Sequence, residues 1–419
     1  KKAEEMDSVL AKLRYKKVNL LAQAFQSGVN GLGSPRQINN VNTLDYTGYL
    51  LHADYGDTTS NIDWKLYTDY NDFYLKYTVL DRFGPGIPGG YRFSDDGEQN
   101  YRWRSGSSLN YHWSKALSIF AGLEYEERDT GAYQVYNGST GATTAVLMPA
   151  FGLSVWSFYS QVDYILGEKW RFLLGGRLTE NSITGTDSVP RLGAVYKIDD
   201  QQSLKLLYSV GFNTPSFTQL KADNLPEVQG NPGLTPEKIK TLDLAYSFSK
   251  GNNLFVANIY YLQAQNFIVS DRSTGTIRFY NASNFDRYGA ELDYQGIFAK
   301  QWTVFANLAY YAQGNSTDIS DFTAIYAPKV TTSLGVSYNF LTKHSIGASL
   351  RTISHRATST SLAQLNLDYQ YRLGKLTLFS TLRNILDEEI LAPNIGEYNS
   401  REIPSGEGIN FLVGAKYTF

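Results

Sequence analysis

Cysteine is absent from this chain, and with it disulfide frameworks and thiolate metal sites. That usage fits a secreted or envelope protein that avoids oxidative cross-linking. Methionine occurs twice and histidine four times, as His52, His112, His344 and His355. No two histidines stand in an H-x-x-x-H or H-E-x-x-H pair, so the sequence presents no preorganised metal site. An excess of basic charge is also missing, because 38 basic residues face 40 acidic ones for a net charge of -2. A nucleic-acid partner would favour a basic face, so none is expected. No run approaches the roughly 18 apolar residues of a membrane-spanning helix. That absence leaves a transmembrane barrel open, because lipid-facing and lumen-facing residues alternate along its strands and the average stays polar. Residues 1 to 7 are charged and lack an initiator methionine, an apolar stretch and a small-residue cleavage site, which implies a start inside a longer protein or after processing.

What the chain does have is 32 Tyr, 22 Phe and 36 Gly, arranged in period-2 segments. In 62 to 70, Ile62, Trp64, Leu66 and Tyr70 oppose Asp63, Lys65, Tyr67 and Asp69. In 331 to 340, Leu334, Val336, Tyr338 and Phe340 oppose Ser333, Gly335, Ser337 and Asn339, and 361 to 371 repeats the pattern. Charged and amide groups on the second face cannot sit in lipid and are costly in a dry core; a wet or polar-plugged lumen accommodates them. The first strand is expected to enter at Ser8. Tight polar turns are expected near Lys16, Asp57, Ser114, Gly167, Asp200, Gly251, Lys300, Thr342 and Gly374. Between them lie longer segments at 26 to 43, 80 to 100, 127 to 150, 212 to 236, 271 to 284, 312 to 327 and 385 to 405, with shorter ones near 180 to 188 and 353 to 360. Short turns alternating with long loops are the pattern of an outer-membrane barrel. Tyr49, Tyr55, Trp302 and Tyr310 suit its interfacial girdles.

The most specific stretch is Gly211-Phe212-Asn213-Thr214-Pro215-Ser216-Phe217, followed by Gly230-Asn231-Pro232-Gly233-Leu234-Thr235-Pro236-Glu237. Val189-Pro190-Arg191-Leu192-Gly193 lies upstream. Asn281 to Leu292, Leu382-Arg383-Asn384-Ile385-Leu386-Asp387 and Ile403-Pro404-Ser405-Gly406-Glu407-Gly408 lie downstream. In this order and spacing the chain resembles the outer-membrane TonB-dependent receptors of Gram-negative bacteria over essentially its whole length. Ile409 departs from the pattern, where the family often carries an arginine. The resemblance implies an all-β fold, the transmembrane antiparallel barrel of a large transporter of about 22 strands. Residues 1–419 are then one barrel domain. About nineteen strands can be counted, so the remaining strands and the amino-terminal plug are expected upstream. The closing Phe419, at the end of the apolar stripe Phe411, Val413, Ala415 and Tyr417, resembles the signal read by the barrel assembly machinery.

The implied function is high-affinity capture and import of a scarce nutrient, above all a ferric siderophore. The energy would come through the TonB complex, and the setting would be outer-membrane lipid. A passive porin or a surface adhesion barrel is the alternative, and a soluble all-β binding module a weaker third. Haem is disfavoured because 216 to 230 contains no histidine. Catalysis is disfavoured because Ser345 beside His344 and Ser354 beside His355 point to opposite faces of a strand; neither enzyme activity nor a cofactor is expected. Candidate ligand contacts are the aromatics of the long loops, Tyr133, Tyr136, Phe151, Phe217, Tyr326 and Tyr398. Arg177 and Arg278, with Arg104 beside them, could meet an anionic group. Segment 127 to 150, glycine-rich and partly apolar, is the expected ligand-responsive element.

Overall fold

The computed structural model describes residues 4–30, 43–79, 91–95, 100–137, 140–223, 228–271, 276–316, 327–354, 361–392, 403–404 and 406–418. The chain opens with β1 (Glu4–Tyr15), β2 (Val18–Asn30), β3 (Thr43–Thr58), β4 (Ile62–Val79) and the short β5 (Tyr91–Asp95). Next, β6 (Tyr101–His112) and β7 (Leu117–Thr130) lead into a hairpin, β8 (Tyr133–Asn137) and β9 (Thr143–Met148). Then come β10 (Phe151–Leu166), β11 (Trp170–Asn181), β12 (Gly185–Lys197) and β13 (Gln202–Asn213). A helix, α1 (Phe217–Lys221), and β14 (Val228–Gln229) precede β15 (Glu237–Lys250), β16 (Asn253–Asp271), β17 (Ile277–Phe298) and β18 (Trp302–Ser316). The last crossings are β19 (Val330–Phe340), β20 (His344–Ile353), β21 (Leu362–Leu373) and β22 (Leu376–Arg383). A small ribbon, β23 (Leu391–Ala392) with β24 (Ile403–Pro404), precedes β25 (Asn410–Tyr417).

All strands except β23 and β24 belong to one 23-stranded sheet. Within it β5, β8, β9 and β14 are additions at one end; the other nineteen follow one another as antiparallel neighbours and form the wall of a barrel. Among the described residues no pairing joins β1 to β25.

Nine short turns, at 16–17, 59–61, 113–116, 167–169, 198–201, 251–252, 299–301, 341–343 and 374–375, lie at one end of the wall. The expected turn at Asp57 is displaced, because Gly56, Asp57 and Thr58 stay in the ladder opposite Lys65, Trp64 and Asp63. The turn itself is closed by bonds between Thr59 and Ile62. Similarly, β1 begins at Glu4 rather than Ser8, since Glu4 still finds Val29 opposite. Much of 271 to 284 is strand as well: β16 and β17 pair beyond the wall, past a bulge at Ala264 and Phe267.

Side chains alternate as the pattern predicts, with the polarity of a soluble protein inverted. Asp69, Arg104, Glu124 and Ser157 share the inner face, whereas Leu66, Leu123, Phe158, Leu174 and Leu178 stand exposed on the outer one. Six hydrophobic residues are buried among the described residues, against dozens of exposed large ones. Only lipid can cover that outer band. Trp103 in β6 and Trp113 just after it mark its height: they are ten residue steps apart, about 33 Å of strand and about 25 Å along the barrel axis at a tilt near 40°.

Aromatic girdles border the band. At the short-turn end Trp302 stacks on Tyr338 at 4.3 Å, Phe340 on His344 at 5.1 Å and His344 on Tyr371 at 4.6 Å. Toward the other end Trp103, Tyr125 and Trp156 form a similar row. Inside, six rings lie over the glycine directly across the ladder: Phe25 over Gly48, Tyr67 over Gly106, Tyr159 over Gly122, Tyr260 over Gly289, Phe305 over Gly335 and Phe379 over Gly414. A Cβ on any of these glycines would overlap the ring. Aromatic rescue of this kind pins register and keeps rings against the wall. It also explains the joint abundance of Tyr, Phe and Gly.

Candidate functional site at the mouth of the barrel

The mouth is organised by the Pro-, Gly- and Asn-rich excursion between β13 and β15. Ser216 caps α1 through a reciprocal pair: its hydroxyl accepts from the Gln219 amide at 3.2 Å, and its own amide donates to the Gln219 side chain at 2.8 Å. The chain then folds back, with the Gly230 amide donating to the Ala222 carbonyl and the Asn231 amide to the Gln219 carbonyl, both at 2.7 Å. Gly230 is required there, since a Cβ would lie 2.7 Å from the backbone nitrogens of Lys221 and Ala222. Asn231 accepts from the Gly233 amide and donates to the Phe279 carbonyl, each at 2.9 Å. Thr235 and Asn281 exchange two bonds, at 2.8 and 2.9 Å. Beneath this lattice Leu220, Leu234 and Ile268 form a small buried core, with Ile183 and Phe279 against it. The motif residues are thus absorbed in building a rigid buttress.

On that buttress two of the sequence candidates meet. Phe151, the first residue of β10 and on the same face as inward Ser157, packs edge-on against Phe217 with ring centroids 5.2 Å apart. The Lys221 ammonium sits over the Phe151 ring, 4.7 Å from its centroid. Phe217 and Lys221 are four residues apart on α1 and therefore share a face. That spacing was the signal by which sequence reasoning could have found Lys221, and it was missed. Just below, Arg128 of β7 donates to Glu126 at 2.5 Å. The aromatic pair with the Lys221 ammonium beside it offers an apolar and cationic surface to an anionic ligand, while the charge of Arg128 is taken up by Glu126.

The other candidates belong to other elements. Tyr133 and Tyr136 belong to β8, which pairs with β9 on one side and β5 on the other. Within segment 127 to 150 the described residues thus include a paired strand hairpin, β8 with β9, further held by the Asp223 amide on the Leu147 carbonyl at 2.8 Å. Arg278 lies exposed near the start of β17, opposite Asp271. Tyr326, Tyr398, His355 and Phe419 lie outside the described residues.

Arg177 and Arg104 belong to an ionic belt across the inner wall, which sequence reasoning did not anticipate. Asn19 donates to Asp54 at 2.9 Å, and His52 bridges Asp54 and Asp69. Arg104 forks onto Asp69 at 2.6 and 3.0 Å and lies 3.9 Å from Glu124. Arg177 closes the run on Glu124 at 3.1 Å, Ser157 at 2.7 Å and Thr179 at 3.2 Å. The three carboxylates keep 12 to 14 % of their side-chain exposure, so each needs its cation or hydrogen-bond donors. The belt spans β2 to β11 and places His52 on the lumen face. Among the described residues no group of His, Asp and Glu is arranged to hold a metal ion.

A transmembrane wall with a polar lumen and a buttressed mouth defines a large outer-membrane transporter barrel. The chain belongs to the TonB-dependent receptor-like β-barrel family, whose model matches residues 10–385. Among curated proteins it is similar to the iron-regulated outer membrane virulence protein of Vibrio cholerae, 28% identical over 104 residues, which are 24% of this chain and 16% of that protein. It is also similar to the ferrioxamine B receptor of Salmonella typhimurium, 21% identical over 65% of this chain and 44% of the receptor. The matched region thus spans less than half the length of either relative. The ferric enterobactin receptor of Pseudomonas aeruginosa superposes with a TM-score of 0.75 at 14% identity, covering 99% of this chain and 69% of the receptor chain. The siderophore receptor PirA of Acinetobacter baumannii gives 0.74 at 14% identity, over 100% of this chain and 71% of that one. The solved structures show the fold, and the family model shows the family.

Proposed function

We propose that this chain is the barrel of an outer-membrane receptor in a Gram-negative bacterium that captures a ferric siderophore at its mouth and imports it with energy supplied through TonB. Binding and transport, with no catalysis, are its activity. The observation that carries this reading is the mouth itself: an aromatic pair with Lys221 beside it above a polar lumen, on a wall of the fold shared by siderophore receptors.

The test is radio-iron uptake in cells carrying the full-length gene. Saturable uptake of a ferric siderophore that disappears when TonB is deleted is the expected result. Uptake that is non-saturable, size-limited and indifferent to TonB would establish a passive porin instead. Phe217→Ala combined with Lys221→Gln should weaken siderophore binding to the purified receptor about tenfold while the barrel stays folded.

A further inference from the structure

Lysine is distributed unevenly between the two ends of this barrel. Of the nine short turns, six contain it, as Lys16 with Lys17, Lys115, Lys169, Lys300, Lys343 and Lys375. Two more turns follow it directly, at Lys197 and Lys250, so that only 59–61 has none. The nine connections at the opposite end are several times longer in total, yet contain only Lys221 and Lys329. The short turns hold three acidic residues, Glu168, Asp199 and Asp200.

These ammonium groups are largely uncommitted. Lys17 pairs with Asp57 and Lys197 with Asp200, whereas Lys115, Lys169, Lys250, Lys300, Lys343 and Lys375 have no carboxylate within ion-pair distance among the described residues. They also stand at a defined level, one step beyond the outward aromatic girdle. The Lys169 ammonium lies 5.9 Å from the centroid of Tyr196, which itself packs on Trp170 at 4.6 Å. Lys343 directly precedes His344, the ring held between Phe340 and Tyr371. A lysine just past a lipid-facing aromatic belt extends its stem along the apolar surface and places its charge among the headgroups. A ring of such charges attracts an anionic surface, each adding a comparable increment.

We propose that the short-turn rim is a binding surface for anionic phospholipid headgroups of the phosphatidylglycerol type, in the leaflet that surrounds it. On the outer-membrane reading above, on which this rests, that leaflet faces the periplasm. The ring recruits an anionic annulus, which fixes the depth of the barrel and the level of its lower rim.

Tryptophan quenching by brominated lipid tests this on the full-length receptor in vesicles, because Trp113, Trp170 and Trp302 stand at this rim. Brominated phosphatidylglycerol should bind about tenfold better than brominated phosphatidylcholine, a preference that fades at high salt. The variant carrying Lys115→Gln, Lys169→Gln, Lys343→Gln and Lys375→Gln, checked for folding by heat modifiability, should bring the two lipids within about twofold of one another. Equal quenching of the unmodified receptor by both lipids overturns the proposal, as does a four-site variant that keeps the preference. Quenching by neither lipid would show that the outer band does not meet a bilayer, and would sink the membrane reading itself.

Discussion

At the short-turn end β19 and β20 are joined by residues 341–343, fastened by little beyond the ladder above them, whereas at the mouth residues 214–223 and 228–236 are fastened to one another by side chains from several strands. Glycine shows the contrast. Gly230 sits where any side chain would strike backbone, while the short turn places Leu341 and Thr342 at φ of 49° and 60°, where glycine would be easier than either. The mouth is built by packing, and so tolerates little change. The turns are built by pairing of the strands they connect, and so tolerate residues that are locally strained.

That contrast can be broken most severely at the buttress core. Leu220→Ala removes a side chain with 2 % exposure and should destabilise the mouth by about 3 kcal/mol. Amide exchange should then show faster opening of 214–236 with the wall strands unchanged. Gly230→Ala is expected to destabilise by about 2 kcal/mol, since the backbone it meets cannot yield cheaply; early proteolytic cleavage in this segment would report it. At the opposite rim the sign reverses. Thr342→Gly should stabilise the β19–β20 hairpin by about 1 kcal/mol, seen as a later unfolding midpoint in urea. A loss of stability there would mean that the two ends do not differ as described.

The smallest effect concerns Asp199 in the turn 198–201, whose carboxylate accepts from the Gln201 amide at 2.8 Å. That bond holds its pKa below the usual carboxylate range. Its contribution is therefore complete above the unfolded value of about 3.9 and is lost as pH falls through the lowered folded value. Asp199→Asn should abolish that dependence and leave the neutral-pH wall intact, as read from unfolding midpoints across an acid series.

Much of the wall was legible because its signal is local. Alternation at period 2 sorts Leu66 from Asp69 and Leu367 from Asp368 without knowledge of any neighbour, and a turn at Lys300 or Gly374 announces itself in two or three residues. The one displaced turn, at Asp57, failed because ladder pairing with β4 outweighed turn propensity. The site was legible in part. Phe151 and Phe217 were both singled out, but nothing in a linear chain says that residues 66 positions apart touch.

By itself, then, the sequence determined the barrel, the polarity of its faces, the alternation of its ends and its family, since each follows from short-range periodicity or from contiguous motifs. Tertiary structure alone decided that the motif residues make a buttress and that Lys221 joins the aromatic pair. It likewise decided that His52, Asp69, Arg104, Glu124 and Arg177 form one belt across β2 to β11. Those partnerships depend on the register between strands and on the docking of loops without period, and both are set by contacts distant in sequence.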